Sequence, residues 1–307
     1  MSHIIEVKNL VKNYKDHKAV RNVSFNVNKG EVFGFLGPNG AGKSTTINIL
    51  CTIISLSKGE VYLDGKDVLT EQDEVRKKIG IIFQERTLDE RLTARENLLI
   101  HARLYDVKEN EIESRIDEVL EIVELSDRKN DFVSSYSGGM KRRLEIARGL
   151  MHYPKVLFLD EPTTGLDPQT RSYIWKYLLR LKKEHDMTIF LTTHYMDEAE
   201  ICDNIAIIDE GEIVAKGTPI ELKEKLAYNV VKFKSDNSEE TINFIRDNYP
   251  YEVFNKNDEI LVKVTDLPTD FVTSFIREYK ENIYHLEIKR PTLDDVFMNI
   301  TGHNIRD

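Results

Sequence analysis

Apolar and polar residues alternate through the first thirty positions. "HIIEVKNLVKNY" and "KAVRNVSFNVNKG" keep a period close to two, which predicts antiparallel strands with one face in a core. "GEVYLDGKDV" predicts a hairpin turning at Asp64-Gly65, a dipeptide that accepts the left-handed conformations of a tight turn. Four other segments are apolar without alternation: "EVFGFLG", "IGIIFQ", "KVLFLDE" and "TIFLTTH". Short continuous runs separated by helical patterns predict parallel strands buried on both faces. Each run ends at a residue of chemical interest: a glycine loop, Gln84, the pair Asp160 and Glu161, and His194. Ligands of such sheets bind beyond the carboxyl ends of the strands. The four termini are therefore expected on one edge, where a nucleotide fits.

From about Leu92 to Met151 the period becomes helical. Ile112, Ile116, Val119, Leu120 and Val123 form one apolar stripe among charged neighbours. This predicts a helical subdomain, about residues 86–151, inserted between the second and third runs. After "KGTPIELKEKL" the pattern changes again. "NVVKFK", "YEVFNK", "EILVKV" and "NIYHLEIK" read as strands, with helices around Glu239–Asp247 and Asp270–Lys280. That βαββαβ order predicts a small split-βαβ domain. In the closing "RPTLDDVFMNITG", Thr292 and Asp295 resemble a capping box, and Leu293, Val296, Phe297 and Ile300 share a helix face. Packing is the simple reading of that helix; a dimer contact is the other. The expected fold class is α/β, with a mostly parallel-sheet unit over residues 1–220 and a small α+β domain over 221–307.

"GPNGAGKST", Gly37 to Thr45, matches G-x-x-x-x-G-K-S/T between a strand and a helix. Gly37, Gly40 and Gly42 let the backbone curl so that N–H groups of the loop, which also contains Pro38, Asn39 and Ala41, face phosphates. Lys43 reaches the β- and γ-phosphates, and Ser44 offers its hydroxyl to Mg²⁺. Asp160 at a strand end suits the Mg²⁺ shell. Glu161 beside it suits a base for the attacking water. Gln84 can orient that water or touch the metal shell, and His194 can hydrogen-bond the γ-phosphate. Tyr14 offers a ring for stacking on the base. A second anion-binding turn occurs in "SSYSGGMKRRLEIARGL", where Ser137, Gly138 and Gly139 open a helix. Lys141–Arg143 reads as surface charge and Trp175 as core.

Composition narrows the partners. The formal charge of −10 argues against non-specific binding to nucleic acid or an anionic lipid surface. Cys51 and Cys202 lack metal-ligand spacing and read as buried reduced thiols, which points to a cytoplasmic setting. No apolar run approaches the roughly 18 residues of a membrane span, and the start of the chain lacks the pattern of a secretory leader.

Together these features resemble the ATP-binding subunits of ABC transporters over about the first 220 residues. The resemblance rests on Tyr14, the Gly37–Thr45 loop, Gln84, "YSGGM", "VLFLDE", the "GLD" of Gly165–Asp167 and His194. Tyr136 stands where that family usually has leucine and Met140 where it has glutamine. Similar variants occur in the export-type subfamily of drug-resistance ATPases, whose tail "RPTLDDVFMNITG" also resembles. The resemblance implies a head-to-tail dimer in which Ser137, Gly138 and Gly139 close on the γ-phosphate held by the partner's Lys43. It places Asp167 in the seam. It also implies ATP and Mg²⁺ as ligands, and hydrolysis coupled to export by a separate integral membrane permease, with the chain peripheral at the cytoplasmic face. A non-transporting ABC ATPase acting on a ribosome or protein assembly is the alternative, disfavoured by the single cassette and short insertion. A small-molecule kinase leaves "YSGGM" and His194 unexplained.

Overall fold

The computed structural model describes residues 3–83, 87–164, 166–226, 228–256, 259–280 and 282–302. Gln84 and Gly165 lie outside the described residues. The chain divides into two compact units between Lys216 and Gly217.

In the first unit β1 (His3–Tyr14) and β2 (His17–Asn28) pair antiparallel. Their alternation buries Ile5, Val7, Leu10, Val23, Phe25 and Val27. β3 (Val32–Leu36), buried at all five positions, runs into a loop and then α1 (Lys43–Leu50). β4 (Lys58–Leu63) and β5 (Lys66–Asp67) form the expected hairpin, with left-handed φ of 48° at Asp64 and 74° at Gly65. The first sheet has the order β2-β1-β4-β5. After α2 (Gln72–Arg76) and β6 (Ile79–Ile82) come three helices: α3 (Ala94–Leu104), α4 (Glu109–Ile122) and α5 (Gly138–Leu150). The expected stripe is buried: Ile112, Ile116, Val119 and Leu120 in α4, and Val123 just beyond it.

The chain returns through β7 (Val156–Asp160), α6 (Pro168–His185), β8 (Thr188–Thr193), α7 (Met196–Ala199), β9 (Asn204–Asp209) and β10 (Glu212–Gly217). The second sheet has the order β10-β9-β3-β8-β7-β6. Its β9, β3, β8, β7 and β6 are parallel neighbours. Leu36 pairs with Thr193 and Asp160 with Thr192, so the strands finish level on one edge. Phe25 of β2 joins the two sheets: its ring lies 5.4–5.9 Å from those of Phe33, Phe35 and Phe190. Trp175, Cys51 and Cys202 are buried, as expected.

The second unit opens with α8 (Pro219–Glu224), started by a capping box between Thr218 and Glu221. It continues as β11 (Asn229–Ser235), α9 (Ser238–Asn248), β12 (Glu252–Lys256), β13 (Glu259–Val264), α10 (Pro268–Glu278) and β14 (Ile283–Lys289). All pairs of its sheet, ordered β12-β13-β11-β14, are antiparallel. Ile242 and Ile245 of α9 and Phe271 and Phe275 of α10 share a core with Val231, Phe233 and Val262. In the closing α11 (Leu293–Thr301) the Thr292–Asp295 capping box forms. Leu293, Val296 and Phe297 are buried, but Ile300 is 39% exposed. The expected stripe is thus one turn shorter, because Ile300 falls in the last turn before the Gly302 cap. Among the described residues no helix is long and apolar enough to cross a membrane.

Candidate active site

The loop between β3 and α1 is shaped by close backbone approach. A Cβ at Gly37 would lie 2.2 Å from the Ile208 carbonyl oxygen on β9. Gly42 has φ +102°, and a Cβ there would meet the Ala19 carbonyl oxygen at 2.5 Å. Lys43, the first residue of α1, is only 5% exposed. Its Nζ donates to the carbonyls of Gly37 at 2.8 Å and Pro38 at 2.9 Å and stands 3.8 Å from Glu161 Oε1. Burial lowers the Lys43 pKa, while Glu161 and Asp160 oppose that shift. The ammonium is costly to bury without anionic company.

Asp160 ends β7. Its Oδ1 accepts a hydrogen bond from the Thr192 hydroxyl on β8 and lies 3.5 Å from Ser44 Oγ. A carboxylate beside a hydroxyl, both presenting oxygen, is a donor set suited to a hard divalent cation. Glu161, one residue on, has a left-handed φ of 47°, unusual for a non-glycine residue and costing roughly 1–3 kcal/mol. That turn sends its carboxylate away from the Asp160 pair: Oε1 meets His194 Nδ1 at 3.1 Å, and Oε2 accepts from the Thr164 hydroxyl at 3.3 Å. His194 lies just past the end of β8, its ring 4.2 Å from that of Tyr195.

A cavity of about 280 Å³ opens in front of these groups, lined by Tyr14, Asn39, Gly40, Gly42, Lys43, Ser44, Thr45 and Glu161 along with His17 and Ala19. Tyr14, 46% exposed at the end of β1, has Lys12 Nζ 5.0 Å from its ring. Ala41 is buried beneath the loop and its N–H bonds to the Pro38 carbonyl. Tyr14, the Gly37–Thr45 loop, Asp160, Glu161 and His194 are therefore gathered at one edge. Ser137, Gly138 and Gly139 are not among the residues lining this cavity. Ser137 is the exposed N-cap of α5, accepting the Met140 N–H, and Tyr136 is buried with its hydroxyl on the Arg128 carbonyl. Asp167 is the exposed N-cap of α6. Hydrogen bonds from the Thr170 hydroxyl and N–H hold its carboxyl below the usual range.

One expectation changes, and one buried acid emerges that the sequence did not single out. Lys141–Arg143 is not simple surface charge, for Lys141 and Arg142 are buried. Lys141 pairs with Glu90, and the Arg142 guanidinium donates to the Pro162 and Phe83 carbonyls. Carbonyls at the strand ends draw the cation inward. Glu198, missed in the sequence, is 1% exposed and accepts from the hydroxyls of Thr163 and Thr193 and from Trp175 Nε1. It ties the segment after Glu161 to the residue before His194. Its place in the polar run "MDEAE" disguised it as an exposed helix acid.

The ABC transporter family model matches residues 20–164. A linearmycin resistance ATP-binding protein of Bacillus subtilis is 36% identical across 99% of this chain and 100% of its own length. A daunorubicin/doxorubicin resistance ATP-binding protein of Streptomyces peucetius is 36% identical across 99% of this chain and 94% of its own. A Nod factor export ATP-binding protein of Cupriavidus metallidurans is 35% identical across the whole of both chains. Among solved structures, cbiO1 of Clostridium perfringens, part of an ABC transporter complex, has a TM-score of 0.67 at 32% identity, over 81% of this chain and 97% of its own. A dimeric cassette in a post-hydrolysis state with ADP and Pi has a TM-score of 0.64 at 32% identity, over 70% of this chain and 98% of its own. The chain belongs to the ABC transporter ATP-binding proteins. It is an ATP-hydrolysing subunit of the export-type group, and these relatives favour that reading over a non-transporting ATPase.

Proposed function

We propose that two copies of this chain bind ATP head to tail and that closing and opening of the pair drives a separate integral membrane permease. The chain is then peripheral, held at the cytoplasmic face by that permease. Within one copy, Tyr14 stacks on the base and the Gly37–Thr45 N–H groups cradle the phosphates. Lys43 leaves its two loop carbonyls to meet the β- and γ-oxygens. Ser44 and Asp160 would hold Mg²⁺, with Gln84 completing that shell or orienting water. Held by these residues, a bound Mg²⁺ would supply positive charge to neutralise the triphosphate. Glu161 accepts a proton from the attacking water as its oxygen bonds to the γ-phosphorus and the bond to the bridging oxygen breaks. His194 orients Glu161 and reaches the γ-phosphate. Ser137, Gly138 and Gly139 of the partner subunit supply the last donors, and Asp167 lies in the seam.

The observation that carries this reading is the triad at one edge: Lys43 at 3.8 Å and His194 at 3.1 Å from the same Glu161 oxygen. The cassette solved as a dimer with ADP and Pi supports the pairing. The test is Glu161→Gln, which keeps shape and removes the base. It should bind ATP with near-parent affinity, hydrolyse it at least about 100-fold more slowly, and elute as a dimer with ATP. A variant that stays monomeric at saturating ATP contradicts the closed state.

A further inference from the structure

The helix capped by Ser137 also carries a buried ion pair whose two residues do not themselves line the nucleotide cavity. Arg142 Nη1 lies 3.0 Å from Glu145 Oε2, their side chains 9% and 3% exposed. The rest of the guanidinium fans out over backbone. Nε donates to the Pro162 carbonyl at 2.7 Å, Nη1 to that of Phe83, and Nη2 approaches those of Asp160 and Glu161 at 3.5 and 3.4 Å. The other Glu145 oxygen accepts the Thr87 N–H at 2.9 Å. Arg148, on the same helix, donates to the Thr87 carbonyl and hydroxyl. One helix thus grips the chain at Phe83 and Thr87, on both sides of Gln84, and holds the carbonyls from Asp160 to Pro162.

Stability alone is a poor reason for this arrangement. Burying two ions costs several kcal/mol each, and well-packed apolar replacements of such pairs are often neutral or stabilising. What the pair provides is reach: a planar guanidinium with five donors can hold separate segments at fixed separations. We infer that Arg142 and Glu145 are positioning residues of the ATPase, setting the Glu161 backbone, Phe83 and Thr87 at fixed distances from the Ser137 turn. The link onward to a partner's nucleotide rests on the trans reading of Ser137; the hold on Glu161 does not. Because Glu161 adopts a left-handed conformation, its carboxylate direction depends on the carbonyls next to it being held.

Steady-state ATPase and thermal unfolding separate positioning from scaffolding in the full chain. Arg142→Met and Glu145→Leu each leave a buried partner charge, and each should lower both Tm and kcat. The double variant Arg142→Met/Glu145→Leu removes both charges. It should regain most of the Tm while kcat stays on the order of 10–100-fold low, with KM for ATP within about two-fold. Recovery of kcat together with Tm overturns the proposal. Should the double variant fail to fold, Arg142→Lys decides. It keeps the charge opposite Glu145 but loses the fan, so a parent-like Tm with reduced kcat supports positioning, and full kcat overturns it. ATP-driven association of the parent is measured alongside. Its absence overturns the trans reading while the kcat comparison still judges this pair.

Discussion

Glu161 holds an unusual backbone conformation because its neighbours determine it from several sides. Its N–H bonds to the Thr192 carbonyl, its carboxylate to His194 and Thr164, and the Arg142 guanidinium reaches the carbonyls around it. The opposite wall depends on Gly42, whose φ of +102° and approach to the Ala19 carbonyl leave no room for a side chain. Gly42→Ala must therefore displace the loop from β2. It should lose roughly 1–3 kcal/mol of stability and weaken ATP binding more than ten-fold, read by thermal unfolding and nucleotide titration. Native-like values for both would show that the loop tolerates displacement. Lys43, Asp160 and His194 were legible in the sequence because each stands at the end of an apolar run or in a fixed spacing. Arg142 and Glu198 were not, because a charged residue on a helix reads as exposed unless its three-dimensional acceptors are known.

At the scale of elements, the strand runs were legible from hydrophobic order alone, as were the Asp64-Gly65 hairpin and the α4 stripe. What the order could not give is the joint between the helical segment and β6. There Tyr105, just beyond α3, lies between two imidazoles, its ring 4.6 Å from His101 of α3 and 4.0 Å from His152, which follows α5. His152 Nε2 is 2.8 Å from the Ile79 carbonyl oxygen, and neither Nδ1 has a hydrogen-bond partner among the described residues. Burial, with Arg148 and His152 nearby, lowers His101 to about 3. Burial lowers His152 to about 4, opposed by the Ile79 bond and assisted by Arg115. Unfolded imidazoles titrate near 6.5, so between about 4 and 6.5 the unfolded chain binds more protons. The stability that neutral imidazoles allow is present above pH 6.5 and is lost as pH falls toward the folded values. Thermal unfolding at pH 5 and 7.5 should show a lower Tm at pH 5, and the His101→Phe/His152→Phe variant should show a smaller difference. An unchanged pH difference in that variant would assign the effect elsewhere.

At the scale of the molecule, the proposed function gives the chain two phosphate-binding turns with separate addresses. The first lines the cavity with Lys43; the second, at Ser137, caps α5 and does not line it. In that reading an exposed helix N-terminus with two glycines, on a helix that also braces Glu161 through Arg142, would report a third phosphate to the base. We propose that this phosphate belongs to the other copy. Mixing is the direct measurement. Lys43→Ala removes the cation from the first turn, and Gly139→Asp puts a negative charge into the second. Each variant alone should be inactive, since both sites of its dimer are damaged. In heterodimers both lesions fall in one site and leave the other whole. ATPase activity should therefore reappear on mixing, in proportion to the heterodimer fraction. A mixture that forms heterodimers yet stays as inactive as either parent would contradict a nucleotide shared between two chains.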